Sequence, residues 1–379
     1  ARAGSAGKSM GSWADGAILL TGATGFLGGE LLPRLLGAAP AATVVCLVRA
    51  RDAAELERRA QALLADVPLA ARDAARVRVL AGDVRAPDLG LGAARAALAR
   101  EVRAVVHAAA STRFDLELAE ARRSNVAGTA NVLAFARLAG AHLHHVSTAY
   151  VVGDRCGVFG AEPAGGARPP FHNSYEESKW EAEALLSDAA RDLHITVYRP
   201  SIIVGDSRSG RTRHFRVLYD PFKWVIYGKT SLLPCRPEVR VDVVPVDFVC
   251  DALVALGARA DAAGTVWHLS CGPERAPAIA EILAAAEPIV NGWLAARGQP
   301  VIAVPRIVSP DAATPELADL FALGAAVMRT HVPYMLRELL FEPGASERAL
   351  AGAGLRCPPL RSYLRVLLEF ALERRFGTA

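Results

Sequence analysis

One rhythm limits this chain more than any other feature. Short, uninterrupted apolar runs alternate with Ala/Leu/Arg/Glu-rich stretches of helical length. The runs are "AILLT" (17–21), "TVVCLV" (43–48), "VRVLAG" (77–82), "AVVHAA" (104–109), "HLHHVST" (142–148) and "HITVYRP" (194–200). Strands that are apolar throughout are covered on both faces, and their alternation with helices predicts a doubly wound parallel sheet in an α/β fold. After about residue 205 the rhythm breaks. Arg, Gly and aromatics run to about 238. A strand-like and helical unit, "RVDVVPVDFVCDALVAL" (240–256), and a strand, "TVWHLS" (265–270), follow. From about 275 the sequence reads as helical and Pro-punctuated, without strand alternation.

The first strand runs into "TGATGFLGGELLPRLL", which places Gly22, Gly25 and Gly28 between a strand and a helix. Gly22 permits the tight turn, Gly25 lets the backbone approach a pyrophosphate, and Gly28 lets the helix lie close on the sheet. The N–H groups and positive end of that helix then face phosphates. The same sheet edge presents Thr21, Phe26 and Leu27 of the turn, Asp83 and Val84 of "GDV", and Ala108 and Ala109 of "HAAA". His107 reads as a packed strand residue. The second strand ends "VVCLVRARD". A carboxylate there would bind the ribose of NAD, whereas Arg49 suits a 2′-phosphate, so NADPH is the expected cofactor. Asp52 reads as the cap of the next helix.

The expected architecture is therefore a Rossmann-type doubly wound parallel sheet with a smaller, mostly helical C-terminal substrate lobe. Its NADP-binding core spans 17–205, with 240–275 returning to it. The lobe comprises 206–239 and 276–379. Residues 1–16, small and Gly-rich, read as a linker or expression scar. Within them "AGSAGKS" lacks the first glycine of a phosphate loop and a preceding strand. Met10 would serve as a native start, and the chain is equally readable as a module of something longer.

"NSYEESKWEAEALL" (173–186) holds Tyr175 and Lys179 four residues apart. The chain has only four lysines (Lys8, Lys179, Lys223, Lys229) against 39 arginines. A spacing of four on a helix puts both side chains on one face. An ammonium there is expected to lower the phenol's pKa and to hydrogen-bond a nicotinamide ribose. Thr148, with Ser147 as second choice, ends the fifth strand and supplies a hydroxyl for a developing oxyanion. Asn125 in "NVAGT" steadies the architecture behind the site.

Composition is permissive. The 379 residues are 52% apolar and 22% charged, with net charge +4 and no nucleic-acid motif. No apolar run approaches ~18 residues, so no transmembrane helix is expected. Six scattered cysteines without a CxxC pair suggest a reducing, cytoplasmic setting, and no metal site is expected.

Together "TGATGFLG", "NVAGT", "VSTAY", "YEESK" and "YRPSIIVG" resemble the extended short-chain dehydrogenase/reductase superfamily. Within it, "GDVRAPDLGL", "HAAASTRFDL…NVAGT" and "SKWEAE" resemble the thioester reductases, which include fatty acyl-CoA reductases and terminal reductase domains of peptide and polyketide synthases. The resemblance implies a catalytic Thr148–Tyr175–Lys179 triad. It places Gly22, Gly25, Gly28, Arg49 and Asp83 on the cofactor, with Pro200 and Ser201 near the nicotinamide. The implied reaction is hydride transfer from NADPH to an acyl-CoA or phosphopantetheine-bound acyl thioester, giving an aldehyde; the sequence leaves open whether a second transfer goes on to an alcohol. The implied partner is an acyl or peptidyl carrier protein.

"SRSGRTRHFR" (207–216) offers Arg208, Arg211, Arg213, Arg216 and His214 to CoA phosphates or an acidic carrier, or else is a solvated loop. Tyr219, Phe222, Trp224 and Tyr227 either line an acyl channel or pack the lobe. "RSYLRVLLEFALERRF" (361–376) reads as a packing helix before a membrane-surface one. Two other functions fit the same motifs: a sugar-nucleotide epimerase or dehydratase, and a non-catalytic dinucleotide sensor. The first expects tightly held NAD and a polar sugar pocket, and the second expects a broken triad.

Overall fold

The computed structural model describes residues 13, 16–67, 69–228, 230–309 and 332–377. The apolar runs become strands β1 (Ala17–Thr21), β2 (Thr43–Val48), β3 (Val77–Ala81), β4 (Val102–His107) and β5 (His142–Val146). After a short β6 (Gly157–Phe159) come β7 (Ile195–Pro200), β8 (Ile202–Val204), β9 (Leu232–Pro234), β10 (Val243–Pro245) and β11 (Thr265–Leu269). Seven of them form one parallel sheet in the order β11-β7-β5-β4-β1-β2-β3. The six apolar runs and "TVWHLS" all lie in this sheet, whereas the strand of the 240–256 unit, β10, pairs with β8 outside it.

Helices α1 (Phe26–Ala38), α2 (Ala53–Asp66), α3 (Ala71–Ala74), α4 (Ala94–Glu101), α5 (Leu118–Ala139) and α6 (Ser174–Ala189) make the crossovers. They are followed by α7 (Tyr219–Ile226), α8 (Val246–Gly257), α9 (Ile279–Ala295), α10 (Gly344–Leu350) and α11 (Leu364–Glu373). Alternate strand residues divide the core between the sheet's faces. Ile18, Leu20, Val44 and Cys46 pack with α1 and α8, while Leu19, Val45 and Val105 pack with α4, α5 and α6. Strands are apolar throughout because both faces are covered.

Trp13 lies in the stretch expected to be a linker, yet it is buried in the first of these layers. Its indole Nε1 donates to the Val254 carbonyl at 2.9 Å and its ring packs on His144. The rest of that stretch, apart from Gly16, lies outside the described residues. The C-terminal third reads as lacking clear strand alternation, yet its described residues contain two strands. β12 (Arg306–Val308) pairs with β9, and β13 (Leu339–Phe341) pairs with β6. Three-residue strands are too short for an alternation signal. α11 turns Leu364, Leu367, Leu368, Ala371 and Leu372 inward against a cluster that includes α7 and α9, so 361–376 contributes a packing helix. Among the described residues no helix is long and apolar enough to cross a membrane.

Candidate active site

The glycine turn is built to admit a ligand's phosphates. Gly22 has φ +77°, and a Cβ on it would lie 2.7 Å from the Ala109 nitrogen. A Cβ on Gly28 would lie 2.1 Å from the Gly22 carbonyl oxygen. No side chain caps α1, whose N-cap is Gly25, so the helix start keeps its anion-binding character. Any side chain at Gly22 or Gly28 would strike neighbouring backbone, so the turn lies tight on the sheet and its uncapped helix start fits a dinucleotide pyrophosphate. Thr21 braces it from below: its hydroxyl bonds His107 Nδ1 at 2.8 Å and accepts from the Ala109 N–H at 3.3 Å. His107 is the packed strand residue the sequence suggested, and burial, with Lys179 nearby, holds its pKa down at about 3.

Arg49 stands exposed at the end of β2. Asp52 caps α2 by accepting from the Glu55 N–H at 2.7 Å, as expected. Asp83 accepts from the Arg85 N–H, and the Val84 carbonyl accepts from Asn131, so the loop after β3 is fixed from within. Phe26 at the start of α1 meets His214 edge-on. Arg213 arrives from the same segment and donates to the Thr24 carbonyl at 3.2 Å. Arg211 pairs with Glu30 of α1. Two arginines of the segment read either as meeting CoA or a carrier or as a solvated loop therefore fold back onto the glycine turn and its helix.

The Tyr–Lys helix α6 starts at Asn173, whose side chain accepts from the Glu176 N–H at 3.0 Å. It places Tyr175 beside Thr148, and burial raises the phenol's pKa while the Thr148 hydroxyl partly offsets that rise. Thr148 also accepts from the Tyr150 N–H. Ser147 is buried with its hydroxyl unpartnered, so Thr148 is the strand-end hydroxyl on the tyrosine. Behind them Asn125 accepts from the Ser111 N–H at 2.8 Å and donates to Ser178 Oγ at 2.9 Å. That amide ties the loop after β4 to α6, the steadying role expected of it.

One expectation is overturned. Burial pushes the Tyr175 phenol up to about 12, outweighing the Thr148 bond, and Lys179 is not among the causes. The Lys179 ammonium turns toward β5, donating to the Val146 carbonyl at 2.8 Å and facing His145 Nε2 at 3.1 Å. Burial lowers its own pKa to about 8, with Glu183 opposing that shift. If the ammonium supports reduction, the rate should fall as pH rises through about 8, where Lys179 loses its charge. A kcat profile flat to pH ~10, near the free-lysine value, would contradict this.

Pro200 and Ser201 close β7. The Ser201 hydroxyl donates to Asp242 at 2.6 Å, and that buried carboxylate also accepts from the Cys271 N–H at 2.9 Å. A further wall was missed in the sequence. Tyr334 donates to Glu176, beside Tyr175, and accepts from Asn173 at 2.8 Å. Its ring packs against Phe114, Tyr150 and His172. Burial raises the Glu176 pKa to about 7. The signal available was the Asn173–Glu176 cap, and its partner 158 residues on was invisible. Of the lobe aromatics, Tyr219 is buried and accepts from the Gly205 N–H at 3.1 Å. Phe222 lines a shallow apolar recess with Leu233, Leu283 and Ile302, and Tyr227 is exposed.

A parallel sheet of this order, with a glycine turn at its first strand–helix junction, is the fold of an NAD(P)-dependent oxidoreductase of the extended short-chain dehydrogenase/reductase class. The family model described as Male sterility protein matches residues 20–253, and the chain belongs to that family. It is 30% identical over 272 residues to a non-canonical nonribosomal peptide synthetase of Aspergillus campestris, covering 67% of this chain and 26% of that protein. It is 33% identical over 300 residues to an isonitrile lipopeptide synthase of Streptomyces coeruleorubidus, covering 76% of this chain and 19% of that protein. The chain thus spans about a quarter or less of these relatives. The terminal R domain of the myxalamid PKS-NRPS pathway superposes with a TM-score of 0.78 at 27% identity, over 97% of this chain and 92% of that one.

Proposed function

We propose that this oxidoreductase reduces acyl thioesters, carried on CoA or on the phosphopantetheine of a carrier protein, to aldehydes with NADPH. The observation that carries the reading is α6 packed on the turn after β5, where Tyr175 meets the Thr148 hydroxyl and Lys179 donates to the Val146 carbonyl at 2.8 Å. The resemblance to thioester reductases and the printed names of the relatives support the substrate class. A carrier-protein partner and a cytoplasmic setting belong to the same reading, the latter supported by six free thiols.

A dinucleotide held at the glycine turn would supply the hydride that the thioester carbonyl carbon receives. Thr148 and Tyr175 stabilise the oxygen as it gains charge. With its pKa near 12 the phenol is protonated at neutral pH, which suits a proton donor. Tyr175 transfers that proton to the oxygen, giving a hemithioacetal. The phenolate takes the hydroxyl proton back as the C–S bond breaks, leaving an aldehyde and a thiolate that solvent protonates. One hydride and one proton are consumed per thiol released.

NADPH rather than NADH is assigned to Arg49, with Arg213 adding positive charge at Thr24. Arg49→Asp should weaken NADPH about 10-fold or more relative to NADH, as loss of a charge-assisted phosphate contact requires. Equal loss for both, read by fluorescence titration, contradicts the assignment. The reaction itself is tested by NADPH absorbance with acyl-CoAs, acyl-pantetheine, aldehydes and nucleotide sugars, with products identified by mass spectrometry. Oxidation with nucleotide sugars alone would discard the thioester reading, and alcohol among the products would show a second reduction.

A further inference from the structure

Beneath the glycine turn a row of polar side chains crosses three neighbouring strand ends. Thr21 of β1 lies beside His107 of β4, which lies beside His145 of β5. All of them are buried. His107 is satisfied: the Thr129 hydroxyl donates to the Asn125 carbonyl at 2.6 Å, so it accepts from His107 Nε2 at 3.3 Å. His107 Nδ1 then accepts from Thr21, whose own oxygen accepts from Ala109. His107 is thus neutral, protonated on Nε2.

His145 is different. Its Nε2 faces the Lys179 ammonium at 3.1 Å, and an ammonium only donates, so this nitrogen is the acceptor. The ring proton therefore sits on Nδ1, which is buried and without a partner. Leaving a buried N–H unpaired is costly, and natural cores rarely keep one without a reason. An aliphatic residue in this strand would avoid that cost and would leave the Lys179 ammonium one acceptor fewer.

We propose that His145 is a positioning residue that acts through Lys179, accepting a hydrogen bond from its ammonium so that the cation is held, charged, at the end of β5. The role in catalysis rests on the reading of Lys179 given above. The groups acting on the ammonium are Glu183 from its own helix, His145 and the Val146 carbonyl from β5, and His107 from β4. Glu183 is shared with Arg199 of β7. His145 and His107 stay neutral, since burial and the nearby ammonium lower both. Removing the acceptor therefore weakens the hold on the ammonium's proton.

The test uses the whole protein with its lysines labelled with 13C at Cε. With four lysines in the chain the spectrum is simple, and the Lys179 signal is assigned by its loss in Lys179→Arg. In His145→Phe the Lys179 titration should move to lower pH by about one unit, a 10-fold weaker hold on the proton, the size of one hydrogen bond to a charged group. His145→Gln, which keeps an acceptor, should restore most of it. The alkaline limb of kcat should move in step. An unmoved Lys179 titration in His145→Phe overturns the proposal. So does failure of both His145→Phe and His145→Leu to fold, which would make the histidine structural. The titration is read without substrate. If it moves as expected while Lys179→Met keeps full turnover, the positioning of the ammonium stands and the catalytic reading of Lys179 falls.

Discussion

Replacing Tyr175 by Phe is expected to cut turnover about 1,000-fold while leaving NADPH affinity within about twofold. The ring stays in place on Phe114, so the shape of the site survives. Two contributions disappear with the hydroxyl. The oxygen that gains charge loses a donor that Thr148 aligns, and the step loses its proton source. Neither bears on the phosphate site proposed at Gly22, Gly25 and Gly28, so binding and turnover should separate. Stopped-flow turnover with a parallel cofactor titration checks this. Turnover within tenfold of the parent would remove Tyr175 from its role.

The second large effect concerns stability. Arg199 and Glu183 form an ion pair with their side chains 3% and 2% exposed and a shortest separation of 2.6 Å. Taking one partner away leaves a charge stranded in the core. Glu183→Gln is expected to cost about 3–5 kcal/mol, read from denaturant unfolding. Replacing the pair together, as Arg199→Met with Glu183→Leu, should recover most of that loss, because two buried charges repay little of their desolvation. A loss under 1 kcal/mol in the single variant would mean that water reaches the pair. Glu183→Gln also removes the group that supports the Lys179 charge, so the alkaline fall in rate should begin at lower pH in this variant.

The sheet was legible because its signal is local. A strand covered on both faces is written as a largely apolar run, which β1 and β2 carry unbroken, while β5 interrupts it with three histidines and β3, half-buried, with Arg78. The glycine turn, Asp52 as a cap and Asn125 as a brace were legible for the same reason: each rests on a few adjacent residues or a motif. What could not be read depends on distant chain meeting. Trp13 packs on α8, Tyr334 reaches Glu176, and the pairing of β13 with β6 joins segments far apart in sequence. The direction of the Tyr175 shift was misjudged on similar grounds. Spacing on a helix places Lys179 one turn away, but it does not disclose that the ammonium finds better acceptors on β5. Nor does it disclose how much of the phenol's surroundings exclude water. His145 left one trace, a histidine within a buried strand. Polar groups in such strands need partners, and the sequence could not say which.

The most direct test follows the hydride itself. Single-turnover reaction of the protein with an acyl-pantetheine thioester and NADPH deuterated at both C4 positions should release one thiol per cofactor oxidised. The aldehyde should carry one deuterium at its carbonyl carbon, and the Tyr175→Phe protein should form almost none. Thiol released without cofactor oxidation, or an aldehyde free of deuterium, would contradict hydride delivery to a thioester at this site.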